Sequence, residues 1–305
     1  MSPLEEAYAG CQRLAQSHYE NFPVASRLLP AHLRPHIAAI YAFARIADDF
    51  ADEPGRDVEE RLRLLADWRA RLHSRQVLPP DNNQSPDKNQ PPGKSPFPDG
   101  NSPPGFVFPA LHDTIERFEL PVSLFDDLLD AFTQDVTTTS YATWDEVMDY
   151  CRRSANPVGR LVLRLSGYRR DGLDQASDAV CTALQLTNFW QDLAIDWSRG
   201  RLYVPDEAWR RHGAAPETLD GHQISREWAA ALQECADRTR RLFAAGRTVC
   251  DGVSGRLRYE LRATWLGGVR ILDRLEASGF DVYHARPRLG AGDALVIGCK
   301  TFFWS

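Results

Sequence analysis

Apolar residues recur at helical spacing along almost the whole chain, and this periodicity constrains the fold more than any other feature. Two such faces consist of Ile37, Tyr41 and Ala44, and of Leu62, Leu65, Trp68 and Leu72. Residues that repeat every three or four positions share one side of an α-helix and form the face that packs on a neighbour. No stretch alternates β-branched and polar residues in the way that is typical of strands. The sequence therefore predicts an all-α fold.

The predicted helices carry start and stop signals. Thr143 is followed three residues later by Glu146, the pattern of a capping box at a helix N-terminus. Long helices are predicted over about 225–250 and about 256–278, and Gly279 ends the second. The glycine in the helical stretch 156–163 allows the close approach of either a neighbouring helix or a bound hydrocarbon chain.

One segment breaks the helical pattern. Nine of the 20 prolines lie between Pro79 and Pro104, among Asn, Asp, Gln, Ser and Gly residues. Such a composition cannot bury enough apolar surface to offset its ordering entropy, so residues at about 75–105 are predicted to form a disordered loop. The loop is either a linker between two domains or an insertion in one. Because the flanking helices share the same amphipathic character, we predict a single helical domain over 1–305 with an insertion.

The composition excludes several classes of protein. A hydrophobic content of 43% and a charged content of 26% are ordinary for a soluble globular protein. There is no run of 18 apolar residues and no secretory signal at the start, which favours a cytoplasmic protein. A net charge of −6 without a basic stripe argues against nucleic acid as a partner. The six cysteines and eight histidines lack metal-ligand spacing, so we expect reduced, buried thiols and any metal to be bound by oxygen.

The first chemical signal is the D-D-x-x-D run at residues 48–52. On a helix, Asp48 and Asp52 lie about 40° apart, on the side of Tyr41 and Arg45, whereas Asp49 is turned away by about 100°. Acidic residues at the end of a helix oppose its dipole and cost stability, so they need another reason to be there. The alternatives are a solvated acidic helix end and a cation site.

The second signal is a polar stripe on another predicted helix. Its residues are Gln185, Asn188, Asp192 and Asp196, which fall within about 80° of one another on a helical wheel. The surrounding segment 181–197 is otherwise apolar and contains no lysine or arginine, which predicts a helix that is buried nearly all round. Unpaired buried carboxylates are very costly, and a shared cation or a polar cavity removes that cost. An ordinary exposed polar face is the alternative.

Two helices that each carry carboxylates at positions i and i+4 predict a bundle whose polar stripes face each other around Mg²⁺. Magnesium takes one or two carboxylates together with waters and substrate phosphates. This arrangement suits the departure of diphosphate from a carbon atom, since the metal neutralises the charge on the leaving group. Arg199 and Arg201 follow the second stripe and are either diphosphate contacts or surface charges.

The two motifs resemble those of the squalene/phytoene synthase family. The matching patterns are Arg45-x-x-Asp48-Asp49-x-x-Asp52, then Gln185-x-x-Asn188-x-x-x-Asp192-x-x-x-Asp196, and Arg-Gly-Arg-Leu-Tyr-Val-Pro at 199–205. The resemblance covers nearly the whole chain apart from the proline-rich segment. It implies an isoprenoid-synthase-type helical bundle with a central cavity, Mg²⁺ as the cofactor and an isoprenoid diphosphate as the substrate.

Two further stretches are similar to the hydroxysqualene synthase branch of bacterial hopanoid biosynthesis, namely residues 18–30 and 187–192. That branch removes diphosphate from presqualene diphosphate, and water captures the rearranged cation to give hydroxysqualene. Condensing branches usually have Ser-x-Ser-Phe where this chain has Tyr-Glu-Asn-Phe at 19–22, and arginine where it has Gln191. Loss of that arginine weakens the binding of a second anionic group, which a single presqualene diphosphate does not require.

The motifs and the resemblance together assign roles to individual residues. The predicted metal ligands are Asp48, Asp52, Asn188, Asp192 and Asp196. The predicted substrate-binding residues are Arg45, Gln185, Asn188, Gln191, Arg201 and Tyr203. The predicted catalytic residues are Asp48, Asp52, Asp192, Asp196 and Tyr41. Asp49 belongs to the first motif and is expected to lie behind the metal ligands.

Two other functions remain open at this point. One is a head-to-head synthase that condenses two farnesyl or geranylgeranyl diphosphates to presqualene diphosphate, squalene or phytoene. Squalene formation needs a reductant, and the chain has no glycine-rich dinucleotide fingerprint after a strand. The other is a non-catalytic scaffold of the same fold, which has no reason to keep four carboxylates on matched faces.

The C-terminal residues 295–297 and 302–304 are apolar. They either touch the inner face of the cell membrane, as a peripheral contact, or pack on the core. The implied substrate is greasy, and the implied pathway predicts functional coupling to other enzymes of squalene and hopanoid biosynthesis.

Overall fold

The computed structural model describes residues 1–17, 30–74 and 104–304, and in these ranges the protein consists of helices joined by short connections. No strand occurs within these ranges, where an isolated bridge pairs Ser140 with Leu202. The all-α prediction is confirmed. No helix in the described ranges is long and apolar enough to cross a membrane. The stretch 18–29 and most of the predicted disordered loop at 75–105 lie outside the described residues.

Backbone contacts divide the chain into two compact units, Met1–Val136 and Thr137–Ser305. The first unit contains α1 (Pro3–Ser17), α2 (Arg34–Asp52), α3 (Val58–His73), α4 (Val107–Phe118) and α5 (Ser123–Asp135). Helices α4 and α5 pack on α2 and α3, so the helices before and after the proline-rich segment belong to the same unit. This packing favours an insertion over a linker at that segment. The single domain over 1–305 stays a prediction.

The core of the first unit is built around α2. Phe43 is fully buried, and its ring packs against Trp68 of α3 and Phe125 of α5. The indole N–H of Trp68 donates to the carbonyl of Phe43 over 3.2 Å, so the buried donor is satisfied. Truncation of such a tryptophan costs about 3–5 kcal/mol. This packing fixes α2, the helix that carries the first aspartate motif.

A buried polar cluster joins α1 to α2 and α4. The hydroxyl of Tyr8 donates to Asp113 over 2.6 Å and lies 2.9 Å from both His36 Nδ1 and Thr114 Oγ1. Burial lowers the pKa of His36 below 6.5, so the ring stays neutral at physiological pH. Because each polar group has a partner, the cluster orients α1 on α2 without leaving a buried donor unpaired.

The second unit is organised by α8, a helix of 28 residues. Its helices are α6 (Trp144–Ser154), α7 (Asn156–Leu165), α8 (Asp171–Ser198), α9 (Asp206–Arg211), α10 (Arg226–Gly246), α11 (Val249–Gly252), α12 (Gly255–Ala277) and α13 (Ala291–Phe302). A 3₁₀ turn at Pro216–Gly221 separates α9 from α10. Helix α8 packs against α6, α7, α10 and α12. Trp190 is fully buried at the centre, and its indole N–H donates to Thr239 of α10 over 2.9 Å.

Several local signals in the sequence are confirmed. The side chain of Thr143 accepts from the backbone N–H of Glu146 and begins α6. Gly279 follows α12 with a φ of +62°, the left-handed conformation that ends a helix. A Cβ at Gly159 would lie 2.3 Å from Ser177 Oγ and 2.6 Å from Cys181 Sγ, so this glycine lets α7 pack closely on α8. The close approach therefore serves a neighbouring helix.

All six cysteines are free thiols. Cys11, Cys151, Cys235 and Cys250 are buried as expected, and Cys181 is partly exposed. Its sulfur atom lies against Gly159 of α7, and the loss of solvent there raises the pKa of Cys181 to about 11, so that this thiol stays protonated. Cys299 is exposed, which the expectation of buried thiols missed.

Candidate active site

The first aspartate motif lies at the C-terminal end of α2, and its members have different surroundings. The side chain of Asp48 is 41% exposed and Asp52 is exposed, whereas the side chain of Asp49 is only 8% exposed. Tyr41 lies on the more open side of the helix with Asp48. The sequence placed Asp48 and Asp52 on a buried face, and this was wrong, because the carboxylate that points into the protein is Asp49.

Arg45 holds two carboxylates of this motif. Its Nη2 lies 2.6 Å from Asp49 and its Nη1 donates to Asp48 over 3.3 Å. The Nε atom is buried and has no hydrogen-bond partner. The paired charges lower the cost of burying Asp49. The role of Arg45 as a diphosphate contact stays a prediction.

Two arginines stabilise the helix end that carries the motif. Arg61 of α3 donates to the carbonyl of Ala51 over 2.5 Å and to the carbonyl of Glu53 over 2.9 Å. Arg56 donates to the carbonyl of Asp49 over 3.4 Å. Positive groups on the last carbonyls of a helix oppose the unfavourable effect of acids at that end. The sequence pattern of the motif did not identify these two arginines.

Tyr41 lies one helical turn before Arg45. Burial raises the pKa of the Tyr41 phenol, Arg45 opposes the rise, and Asp49 and Asp48 add to it. The phenol therefore stays neutral at physiological pH and can donate a hydrogen bond. Its predicted catalytic role is compatible with this state and stays a prediction.

The polar stripe of the second motif runs along α8. Asn188 is exposed, and Gln185, Asp192 and Asp196 are partly exposed, while Leu186, Thr187, Phe189, Trp190 and Leu193 are buried. The polar stripe that the sequence predicted thus lies along one face of α8. The prediction that this helix is buried nearly all round was wrong, because the polar stripe is open to solvent in part.

Asp192 of the second motif accepts three hydrogen bonds from side chains. Arg286 binds it through two nitrogens, with Nε on Oδ1 and Nη2 on Oδ2, the second at 3.1 Å. Asn188 Nδ2 donates to the same Oδ2 over 2.8 Å. Next to Asp192, Gln191 donates to the carbonyl of Pro287. Arg286 was missed by sequence reasoning, and the only available signal was its place in a basic, proline-containing stretch before α13.

Helix α8 ends in a turn directly after the second motif. Gly200 has a φ of +76°, and the backbone N–H of Arg201 donates to the carbonyl of Asp196 over 2.9 Å. Tyr203 is 7% exposed, and its ring stacks on Phe189 with centroids 4.0 Å apart. Arg199 is exposed. Contacts of Arg201 and Tyr203 with substrate stay predictions.

The donor atoms of both motifs suit a hard cation. Carboxylate oxygens of Asp48, Asp52, Asp192 and Asp196 and the amide oxygen of Asn188 are the ligand types that Mg²⁺ prefers. Among the described residues, no three histidine, cysteine, aspartate or glutamate side chains converge on a ready-made metal site. Magnesium binds to proteins through one or two carboxylates, with waters and substrate phosphates completing its shell. Either motif alone supplies that number, so the residues fit the ion.

Each unit therefore brings together part of the predicted site. The first unit gathers Tyr41, Arg45, Asp48 and Asp49, and the second gathers Asn188, Gln191, Asp192 and Arg286. That the two stripes face each other stays a prediction.

The chain is all-α and carries an aspartate motif on each of two helices, the combination that is typical of isoprenoid synthases. Residues 15–293 match the squalene/phytoene synthase family, and the chain belongs to that family. It is 35% identical to the hydroxysqualene synthase of Zymomonas mobilis over 227 residues, which cover 73% of this chain and 67% of the relative. It is 33% identical to the hydroxysqualene synthase of Sinorhizobium fredii over 81% of this chain and 76% of the relative. The phytoene synthase of Daucus carota is 25% identical over 96% of this chain and 69% of the relative.

Solved structures show the same fold. The squalene synthase HpnC of Alicyclobacillus acidocaldarius superposes with a TM-score of 0.76 at 35% identity, over 91% of this chain and 95% of that one. A dehydrosqualene synthase in complex with a ligand superposes with a TM-score of 0.77 at 20% identity, over 99% of this chain and 97% of that one. The prediction of an isoprenoid-synthase helical fold and the predicted family are confirmed.

Proposed function

We propose that the chain is a hydroxysqualene synthase, which converts presqualene diphosphate and water to hydroxysqualene and diphosphate with Mg²⁺. The observation that carries this proposal is the difference in identity among its relatives. Those named hydroxysqualene synthase are 33–35% identical, whereas those named phytoene synthase are 24–25% identical. The reaction is a carbon–oxygen lyase step in squalene and hopanoid biosynthesis, coupled in function to the neighbouring enzymes of that pathway.

The chain's own residues supply the binding and orientation for this chemistry. Bound Mg²⁺ would neutralise charge on the departing diphosphate, held by Asp48 and Asp52 in the first motif and by Asn188, Asp192 and Asp196 in the second. The bond between the substrate carbon and the diphosphate oxygen breaks, and both electrons leave with the oxygen. After rearrangement, a water oxygen bonds to the cationic carbon and releases one proton. The hydroxyl of the product therefore comes from water.

Gln191 supports a single-diphosphate reaction. Condensing relatives usually carry arginine at this position, and a second cationic group helps to hold a second diphosphate. In this chain the amide nitrogen of Gln191 donates to the carbonyl of Pro287, so the side chain is tied to the protein. Gln191→Arg should therefore not improve turnover of presqualene diphosphate. A marked increase in kcat/KM for that substrate would contradict this interpretation of Gln191.

The rival function is head-to-head condensation. The crystal structure of a 35% identical relative carries the name squalene synthase, and phytoene synthases match over 93–96% of this chain. This rival takes two molecules of farnesyl or geranylgeranyl diphosphate and needs no presqualene diphosphate at the start. The two reactions thus differ in the substrate that is consumed.

Product analysis separates the two functions. The protein is incubated with Mg²⁺ and no reductant, either with presqualene diphosphate or with farnesyl diphosphate alone, and the extracts are analysed by mass spectrometry. We expect hydroxysqualene from the first incubation, carrying ¹⁸O when the water is labelled, and no steady product from the second. Asp192→Asn is the inactive control. Presqualene diphosphate or squalene formed from farnesyl diphosphate would establish the rival instead.

We also propose that α13 makes a peripheral contact with the inner face of the cell membrane, with the rest of the chain in the cytoplasm. Leu295, Phe302 and Phe303 are 71%, 72% and 83% exposed. The only acid of α13, Asp293, is buried against α12, and Lys300 is exposed on the helix. An apolar face without exposed acid and with a lysine suits an anionic lipid surface.

A further inference from the structure

Both oxygens of the Asp192 carboxylate accept hydrogen bonds from side chains of the protein. Its Oδ1 accepts from Arg286 Nε, and its Oδ2 accepts from Arg286 Nη2 at 3.1 Å and from Asn188 Nδ2 at 2.8 Å. The side chain of Asp192 is 18% exposed and that of Arg286 is 29% exposed. An ionised carboxylate has about four acceptor positions, and three are occupied. Because Arg286 contacts both oxygens, a cation that binds both oxygens of Asp192 must displace it.

Arg286 is presented by a connecting segment, residues 278–290, that is anchored before it. Phe280 and Val282 are buried, and the hydroxyl of Tyr283 donates to the carbonyl of Leu219 over 3.0 Å. The ring of Tyr283 also stacks on His222 with centroids 5.6 Å apart. The backbone leading to Arg286 is thus fixed by core packing and by a hydrogen bond.

The same segment is anchored after Arg286. The carbonyl of Pro287 accepts from Gln191 on α8, and the carbonyl of Arg288 accepts from Arg274 on α12 over 2.7 Å. The backbone N–H of Gly290 donates to Asp293 of α13 over 2.7 Å. Since both sides of Arg286 are held, its guanidinium is aimed at Asp192 by the fold rather than by chance contact of a flexible surface chain.

We propose that Arg286 is a positioning residue that acts as the internal counter-ion of Asp192, so that a divalent cation must displace it to bind there. The inference rests on the proposed role of Asp192 as a metal ligand. The guanidinium keeps the carboxylate in place while no cation is present, and it repels a cation that approaches. Its charge therefore weakens cation binding at the second motif and raises the concentration of Mg²⁺ that the reaction requires. A positive charge roughly 5 Å from a cation in a partly hydrated site changes affinity by about tenfold.

The test measures the binding of Mn²⁺ alone, by electron paramagnetic resonance of the free ion, to the full chain. We expect Arg286→Gln to bind Mn²⁺ about tenfold more tightly than the unchanged protein. Arg288→Gln is the matched control, because it removes the same charge from the same segment, and its exposed side chain lies beyond the contacts with α8. We expect this control to bind Mn²⁺ like the unchanged protein.

Two further variants separate the counter-ion from a merely structural contact. Arg286→Lys keeps the charge but loses the two-pronged hydrogen bond, and we expect its affinity for Mn²⁺ to stay close to that of the unchanged protein. Adding Asp192→Asn to Arg286→Gln should remove the gained affinity. In steady-state assays with presqualene diphosphate, Arg286→Gln should reach half of its maximal rate at a lower Mg²⁺ concentration, whatever its kcat.

Weaker or unchanged Mn²⁺ binding in Arg286→Gln would overturn the proposal, and so would an equal gain in Arg288→Gln. These results would leave the proposed reaction standing if hydroxysqualene still forms from presqualene diphosphate. Failure of product formation, with tighter Mn²⁺ binding in Arg286→Gln, would instead overturn the reaction and keep the counter-ion. The two inferences are therefore tested independently.

Discussion

Asp49 and Asp52 belong to the same motif, and replacing each by asparagine tests whether their different surroundings give them different functions. Asp49 is buried and lies 2.6 Å from Arg45, whereas Asp52 is exposed in the last turn of α2. Asparagine keeps the shape of the side chain and removes its charge. We therefore expect Asp49→Asn to lower stability and Asp52→Asn to lower activity.

The magnitudes follow from these contacts. A hydrogen bond to a charged group contributes about 1.5–3 kcal/mol and a neutral one about 0.5–1.5 kcal/mol. Arg45 is 31% exposed, which screens the pair, so Asp49→Asn should reduce the free energy of unfolding by about 1.5 kcal/mol. At about 2–4 °C per kcal/mol, Tm should fall by about 3 to 6 °C. Asp52 is exposed, so Asp52→Asn should change the free energy of unfolding by no more than about 0.5 kcal/mol.

The activities should change in the opposite order. Asp49 is expected to lie behind the proposed metal ligands, so Asp49→Asn should reduce Mg²⁺-dependent turnover by roughly 10- to 100-fold. Asp52 is a proposed ligand, so Asp52→Asn should reduce turnover by more than roughly 100-fold. The measurements are thermal unfolding by circular dichroism and initial rates with presqualene diphosphate. An unchanged Tm together with complete loss of turnover in Asp49→Asn would show that Asp49 is itself a ligand and would refute the reasoning.

Three further predictions concern the helices that support the site. Arg61→Ala should lower the free energy of unfolding by about 2 kcal/mol, because charged donors to the carbonyls that end α2 are lost. The measurement is urea denaturation, and Arg63→Ala, at an exposed position, is the control. The pKa of His36 is lowered in the folded protein. As the pH falls below 6.5, the unfolded chain therefore takes up a proton before the folded protein does, and the free energy of unfolding should decrease. The decrease should be smaller in His36→Asn. Combined Phe302→Ser and Phe303→Ser should reduce co-sedimentation with anionic vesicles without changing turnover of dispersed substrate, and unchanged sedimentation would contradict a lipid contact of α13.

Much of the fold was predictable because its signals are local. The periodic apolar faces predicted helices that the structure contains, and Leu65, Trp68 and Leu72 are buried as one face of α3. Thr143 and Gly279 marked helix ends correctly, since a cap and a left-handed glycine act within one turn. The polar stripe on α8 was predictable for the same reason, because the spacing of its residues is a local signal.

The orientation of α2 was not predicted correctly, for a specific reason. A helical wheel gives the angle between Asp48 and Asp49 but not which of them faces the core. The interpretation followed Ile37, Tyr41 and Ala44, whereas the continuous buried face runs through Ala42, Ile46 and Asp49 with Phe43 and Phe50 beside it. The buried alanines of α2, among them Ala38, Ala39 and Ala42, were the signal that was overlooked, because alanine contributes little to an apolar count and much to close packing.

Arg286 was not predictable from spacing at all. It lies 94 residues from Asp192, in an irregular segment with no period that could fix the direction of its side chain. Its direction depends on the packing of Phe280 and Val282 and on hydrogen bonds from Tyr283 and Gln191. Such information is tertiary, and a basic residue in a loop carries none of it in the sequence.

The two aspartate motifs neutralise their charge in different ways, and this difference determines what can perturb each of them. In the first motif the counter-ion is Arg45, one turn away on the same helix, so the pair persists as long as α2 is helical. In the second motif the counter-ion Arg286 comes from a segment whose far end is fastened to Asp293 at the start of α13. The segment that carries Arg286 is therefore tied to α13 by a few covalent bonds and by the hydrogen bond from Gly290 to Asp293. If α13 contacts lipid as proposed, this short segment links the lipid contact to the charge partner of Asp192, a proposed metal ligand.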